Sequence, residues 1–190
     1  MRNNGLVSTD TDAGAGAEQQ AILRPRRVGL FAVVAAIALS LDVLTKVLVV
    51  AHLEGDANPK RILGGAIYLD ATRNSGAAFS MGTGFTAILT VLAVVVIGVL
   101  IRYAGRMRST GWAVALGLIL GGALGNLADR LFRAPGVGRG HVVDFISLFG
   151  PYGDHWPIFN IADSAISVGA VLAALLAIFG IELSGRRTRG

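Results

Sequence analysis

The chain has 190 residues, 53% of them hydrophobic and only 15% charged, with a mean hydropathy of +0.63; this excludes an ordinary soluble domain of the same size. A net charge of +5 would suit nucleic acid, but the arginines sit mostly in short groups beside apolar runs with no interleaved aromatics. The charge therefore marks membrane topology, and no nucleic-acid partner is expected. Cysteine is absent, which rules out disulfides, thiol nucleophiles, palmitoylation and thiolate-held metal.

Residues 1–20 are rich in Gly, Ala, Thr and Asp with no apolar period. They predict a disordered tail over 1–27, closed by Arg24, Arg26 and Arg27. The run 28–50 is about twice as long as a signal-peptide core and no small-x-small site follows it, so it reads as a retained first helix. Next comes a long connection, about 52–84, in which 61–70 and 72–80, broken by Gly64, Gly65 and Gly76, predict a small strand pair at the membrane surface. Apolar spans follow at 85–101, 112–131 and 161–183, each near the roughly 20 residues that cross a bilayer core. A second long connection, 132–160, separates the last two. Four crossings thus make one membrane domain over 28–183, and 184–190 is a basic tail.

Orientation comes from the arginines. The N-terminal cluster, Arg102, Arg106 and Arg108 after the second span, and Arg186, Arg187 and Arg189 after the fourth lie on one side, which the positive-inside rule makes cytoplasmic. Both termini are then cytoplasmic and both long connections lie outside. Gly117, Gly121 and Gly125 in the third span, and Ala165, Gly169, Ala173 and Ala177 in the fourth, recur every four residues and predict close helix packing.

This orientation gathers the intramembrane polar groups at the outer end: Asp42 and Lys46 on one face of the first helix, Asn126, Asp129 and Arg130 closing the third, and Asn160, Asp163, Ser164 and Ser167 opening the fourth. Asp144 and Asp163 each follow an apolar dipeptide, Val142-Val143 and Ile161-Ala162, which sets the acid against low-dielectric surroundings. Ionisable residues at bilayer depth are costly and point to function. Two acids from separate elements offer general acid and general base to one water, so the pattern reads as a membrane-embedded aspartyl hydrolase that needs no metal or organic cofactor.

Simpler readings exist for each residue. Asp42 with Lys46 can be a self-neutralising i,i+4 pair, Asn126 and Arg130 can serve interhelical hydrogen bonding, and Asp129 with Arg130 can cap the third helix. His141, Asp144, His155 and Asp163 include metal-ligand types but no zinc-helix spacing. Lys46 with Ser75 or Ser80 lacks a nucleophile elbow, and His141, Asp144 and Ser147 lie too close in sequence for a triad assembled from separate elements. A small proton- or cation-coupled transporter subunit is the main alternative class; it predicts polar residues through the full thickness, whereas the inner halves of the spans are apolar. A structural anchor leaves the one-sided cluster unexplained.

The motifs DVLTK at 42–46, RNSGAAF at 73–79, GGALGNLADR at 121–130, HVVDF at 141–145 and FNIAD at 159–163 resemble those of the bacterial lipoprotein signal peptidases (signal peptidase II), in the family's order. The resemblance covers about 28–183; Val43 stands where a polar residue is common, and the N-terminal tail falls outside it. It implies a mainly α integral membrane fold: four transmembrane helices, a small extracytoplasmic β-cradle and a short outer helix. It implies Asp144 and Asp163 as catalytic dyad, Asn74, Asn126, Arg130 and Asn160 lining the site, and Asp42, Lys46, Asp129 and Phe79 as structural support. The implied substrate is a prolipoprotein bearing a diacylglyceryl-cysteine, cut just before that cysteine at the outer face of the bacterial cytoplasmic membrane, with membrane lipids as further partners.

Overall fold

Each long apolar run forms a helix. The computed structural model describes residues 25–76 and 84–187; the tail before Pro25, and Phe79, Ser80 and Arg189, lie outside them. The helices are α1 (Val28–Leu53), α2 (Gly84–Ala104), α3 (Thr110–Phe132) and α4 (Ile161–Ile178). All four are long and apolar enough to cross a membrane. Outside them, among the described residues, lie three strands, β1 (Lys60–Ile62), β2 (Ile67–Asn74) and β3 (Val142–Leu148), and one 3-10 turn, Leu63–Gly65.

The helix ends follow local chemistry. Ser109 caps α3 by accepting from the Trp112 N–H at 3.5 Å. The fourth helix stops at Ile178, five residues short of the expected end. Gly180 takes φ +66°, its N–H returns to Ala177 O, and Ile181 N–H returns to Leu176 O, the pair of bonds that closes a helix with a left-handed glycine. Residues 181–187 then fold back on themselves, with Ile181 bridged to Arg187, and dock on the α2–α3 connection through bonds from Arg108 and Ser109 N–H to Leu183 O.

The third helix is the centre of the bundle: 56% of its span is buried, against 28, 22 and 17% for α1, α2 and α4, and it packs against all three. Glycines explain the closeness. A Cβ on Gly117 or Gly121 would strike the α1 backbone at Phe31 O or Ala35 O, one on Gly125 would strike Asp42, and one on Gly122 would strike Ala162 O of α4. On α4, Ala162, Ala165 and Gly169 are buried, whereas Ala177 is exposed, so the small-residue seam runs only along the first half of that helix. We expect Gly121→Val, whose Cβ would lie 2.5 Å from Ala35 O and 2.7 Å from Ala38 Cβ, to destabilise the protein by about 1–3 kcal/mol. Thermal unfolding in detergent measures this, with Gly98→Ala, which meets nothing within 4 Å, as the neutral control.

The strands form one antiparallel sheet in the order β1-β2-β3. This corrects the expected strand pair. Gly64 and Gly65 take φ +68° and +101°, so the chain reverses inside the segment expected to be the first strand, and the central strand finds its second partner in the HVVDF segment. An irregularity between Leu69 and Thr72 sets Thr72 opposite Asp144 and Asn74 opposite Val142. Val143 and Phe145 pack with Val49 of α1, and with Leu53, Leu69 and Ile161, in a small core that fixes the sheet to the bundle end.

Candidate active site

The fourth helix opens with a capping box: Asn160 Oδ1 accepts from Asp163 N–H at 2.9 Å, and Asp163 Oδ2 accepts from Asn160 N–H at 3.2 Å. The FNIAD string therefore places Asp163 by local backbone geometry before any tertiary contact forms. Asp144 arrives from the other direction, on the buried strand β3.

Asparagine amides join the two acids. Asn160 Nδ2 donates to Asp144 Oδ1 at 2.6 Å and also lies 3.1 Å from Asn126 Oδ1. Asn126 Nδ2 donates to Asp163 Oδ1 at 2.8 Å, and Asn74 Nδ2 donates to Asp144 Oδ2 at 2.8 Å. Every carboxylate oxygen of the pair thus accepts a hydrogen bond, and Asn160 contacts both acids, one through its side chain and one through its backbone. Burial pushes the Asp144 carboxyl up to about 6. The Asn74 bond works against this shift, the nearby Asp163 charge adds to it, and Asn160 and the Lys46 charge oppose it.

Beneath the acids lies a buried ionic cluster. Lys46, only 1% exposed, forms ion pairs with Asp42 Oδ2 at 2.7 Å and Asp129 Oδ2 at 3.0 Å and donates to Asn126 Oδ1 at 3.0 Å. Because Lys46 and Asn160 both donate toward Asn126 Oδ1, the amide of Asn126 can turn only its NH2 toward Asp163. Asp42 Oδ1 accepts the Ala162 N–H at 2.9 Å, satisfying one of the donors left free by the start of α4. Asp129 Oδ2 accepts from Val143 N–H at 3.1 Å, and its Oδ1 takes the Arg133 guanidinium. Asp42 and Lys46 therefore do more than neutralise each other: they tie α1, α3, α4 and β3 together directly below the acids.

Half-buried Arg130 donates from Nη1 to Asn126 O at 3.2 Å, and its charge is felt by Asp163, Asp144 and Asp129. The structure thus brings together Asp144, Asp163, Asn74, Asn126, Arg130, Asn160, Asp42, Lys46 and Asp129, at the one bundle end that also carries the sheet. Other combinations come apart. Ser147 is an odd number of residues from Asp144, hence on the other strand face, and its hydroxyl donates to Gly150 O, so no His141-Asp144-Ser147 triad forms. Lys46 has no lone pair to offer a serine. Among the described residues no three His, Cys, Asp or Glu side chains gather as a metal-binding group.

Two features escaped the sequence reading. The capping box was legible as Asn-x-x-Asp immediately before an apolar run. Arg133, which clamps Asp129, was legible as its i+4 partner.

Comparison with known proteins gives a consistent result. The model of the signal peptidase (SPase) II family matches residues 34–179. A lipoprotein signal peptidase of Rhodococcus jostii (strain RHA1) is 50% identical over 94% of this chain and 86% of its own length. One from Mycobacterium tuberculosis (strain ATCC 25618 / H37Rv) is 46% identical over 96% and 88%. A solved bacterial membrane enzyme, obtained by the in meso method, superposes with a TM-score of 0.68 at 26% identity, covering 79% of this chain and 93% of that one. With the family model spanning most of the chain, and relatives near half identical over nearly all of it, the chain belongs to the signal peptidase II family of membrane proteases.

Proposed function

We propose that this protease is an aspartic endopeptidase that removes the signal peptide from diacylglyceryl-modified prolipoproteins, cutting just before the lipidated cysteine. The observation that carries the reading is the shared amide scaffold: Asp144 and Asp163, from elements far apart in sequence, both bind Asn160 at the headgroup end of the bundle. By the arginine distribution this end is extracytoplasmic and both termini lie in the cytoplasm. A substrate anchored by its own acyl chains, worth about 0.8 kcal/mol per buried methylene, presents its scissile bond at this depth.

The raised Asp144 suits it to hold the proton that the two acids share, which gives Asp163 the role of base. Asp163 takes a proton from a bound water as the water oxygen attacks the scissile carbonyl carbon. Asp144 gives its proton to the carbonyl oxygen, forming a neutral gem-diol. Asp163 then protonates the departing cysteine nitrogen as the C–N bond breaks, and a gem-diol hydroxyl returns a proton to Asp144 as the new carboxylic acid forms. Asn74, Asn126 and Asn160 hold the acids in place, and the Arg130 charge steadies the negative charge the pair carries. No step requires a metal or organic cofactor.

Cleavage of a diacylglyceryl lipobox peptide by the purified protein in detergent tests the reading; no cleavage by a folded protein would sink it. The pH profile tests the roles. kcat/KM reports groups of the free enzyme, so its alkaline limb should turn near pH 6, where Asp144 loses its proton. The Asn74 bond favours the ionised form, so Asn74→Ala should move that limb to higher pH. A limb that stays put in the variant would remove Asp144 as proton carrier.

A further inference from the structure

On the sheet face opposite Asp144 lies a cavity of about 520 Å³, lined by Glu54 just past α1, Arg73 of β2, Arg133, Ala134 and Pro135 just past α3, and His141 ahead of β3. Arg73 stands across from Val143, so it points away from the dyad, while its neighbour Asn74 reaches Asp144. The cavity is therefore separate from the proposed site, although one strand pair forms a wall of both.

Its lining presents donors. Glu54 is occupied by Arg73, which grips both its oxygens at 2.6 and 2.9 Å through Nε and Nη2. Among the described residues Arg73 Nη1 meets no acceptor. Arg133 gives Nε to Asp129, and among the described residues no acceptor meets its two Nη groups or the His141 ring. Glu54 and Asp129 are thus already paired, and the free valences are guanidinium and imidazole N–H groups converging on one space. Planar guanidinium forks match the oxygens of phosphate. The carbonyl ends of α1 and α3 oppose an anion here, but that effect is confined to the last turn and is weaker than a charge-assisted pair with two guanidiniums.

The flanks say what the phosphate is attached to. Phe132 and Val137 are 85 and 84% exposed at the same end of α3, beside Arg133, where an apolar side chain meets acyl chains and an aromatic sits at the headgroup boundary. We propose that this cavity binds the phosphate of a phospholipid headgroup through Arg133, Arg73 and His141, with the lipid's acyl chains against Phe132 and Val137. The bound lipid would brace the Arg133–Asp129 pair and, through it, the cluster beneath the dyad.

The test is native mass spectrometry of the full chain in detergent, titrated with dioleoylphosphatidylglycerol, with dioleoylglycerol and inorganic phosphate as separate probes. Arg133→Lys with His141→Gln keeps a cation for Asp129 while removing the fork and the imidazole; an unchanged melting temperature shows that the variant folds. The expected result is a single tightly held phosphatidylglycerol in the parent, an affinity about tenfold lower in the variant, as for a lost charge-assisted bond, and no retention of dioleoylglycerol. Equal affinity in parent and variant overturns the proposal. So does dioleoylglycerol held as tightly as the phospholipid, which would mean that the acyl chains alone bind. Inorganic phosphate held as tightly as the phospholipid also overturns it, since the cavity would then read a free anion.

Discussion

Asp144→Asn and Asp163→Asn are each expected to lower cleavage of a lipidated lipobox peptide by about 100- to 10,000-fold, the contribution of a general acid or base. The exchange is nearly isosteric but not silent in the fold. Both oxygens of each acid accept hydrogen bonds, from Asn160 and Asn74 at Asp144 and from Asn126 and the Asn160 backbone at Asp163. An asparagine offers one oxygen and one NH2, so one contact at each position turns into donor against donor. Asn160 cannot swing its amide to compensate, because its Oδ1 holds the α4 cap. A small drop in melting temperature should accompany the loss of cleavage, and helical content by circular dichroism separates the two effects. The double variant should fall little further than either single one, because groups that act as a unit are not additive. Cleavage by either folded variant within tenfold of the parent would falsify the dyad.

The largest stability effect is expected at Lys46. Lys46→Met leaves Asp42, 0% exposed, with only the Ala162 N–H as partner, whereas Asp129 keeps Arg133. Breaking a buried ion pair by removing one member costs about 3–5 kcal/mol. The same change removes one of the two donors that hold Asn126 Oδ1, leaving Asn160 alone to orient the amide that donates to Asp163, so cleavage should fall further than unfolding accounts for. Lys46→Met with Asp42→Leu removes the stranded charge and should regain part of the stability but not the activity, since Asn126 still lacks the Lys46 donor. Thermal unfolding in detergent together with the peptide assay reads both effects. A single variant that melts with the parent would mean that the cluster contributes no net stability.

The alternatives open at the sequence level fare differently against the structure. A transport path needs polar groups through the bilayer, but apart from Ser109, which caps α3, the buried residues toward the other end of the bundle are apolar, among them Phe31, Leu100, Met107 and Leu120. Family membership settles the choice in favour of a protease.

The sequence by itself determined the four crossings, their alternation and the crowding of polar residues at one end. Length and apolar content decide whether a helix spans a membrane, and both are local properties. It also held the capping box that orients Asp163, and Gly180, which ends α4, because helix termini are written in a few adjacent residues. Only the tertiary structure decided how the sheet pairs: HVVDF reads as an acidic string until β2 lies beside it, and register depends on a partner some 70 residues away. It alone decided that Asp42 reaches across 120 residues to the Ala162 N–H, and that Lys46 reaches across 80 to Asn126. No local rule encodes such contacts. They exist because a membrane interior offers buried polar groups no water, so each must find its partner on whichever helix packing brings near.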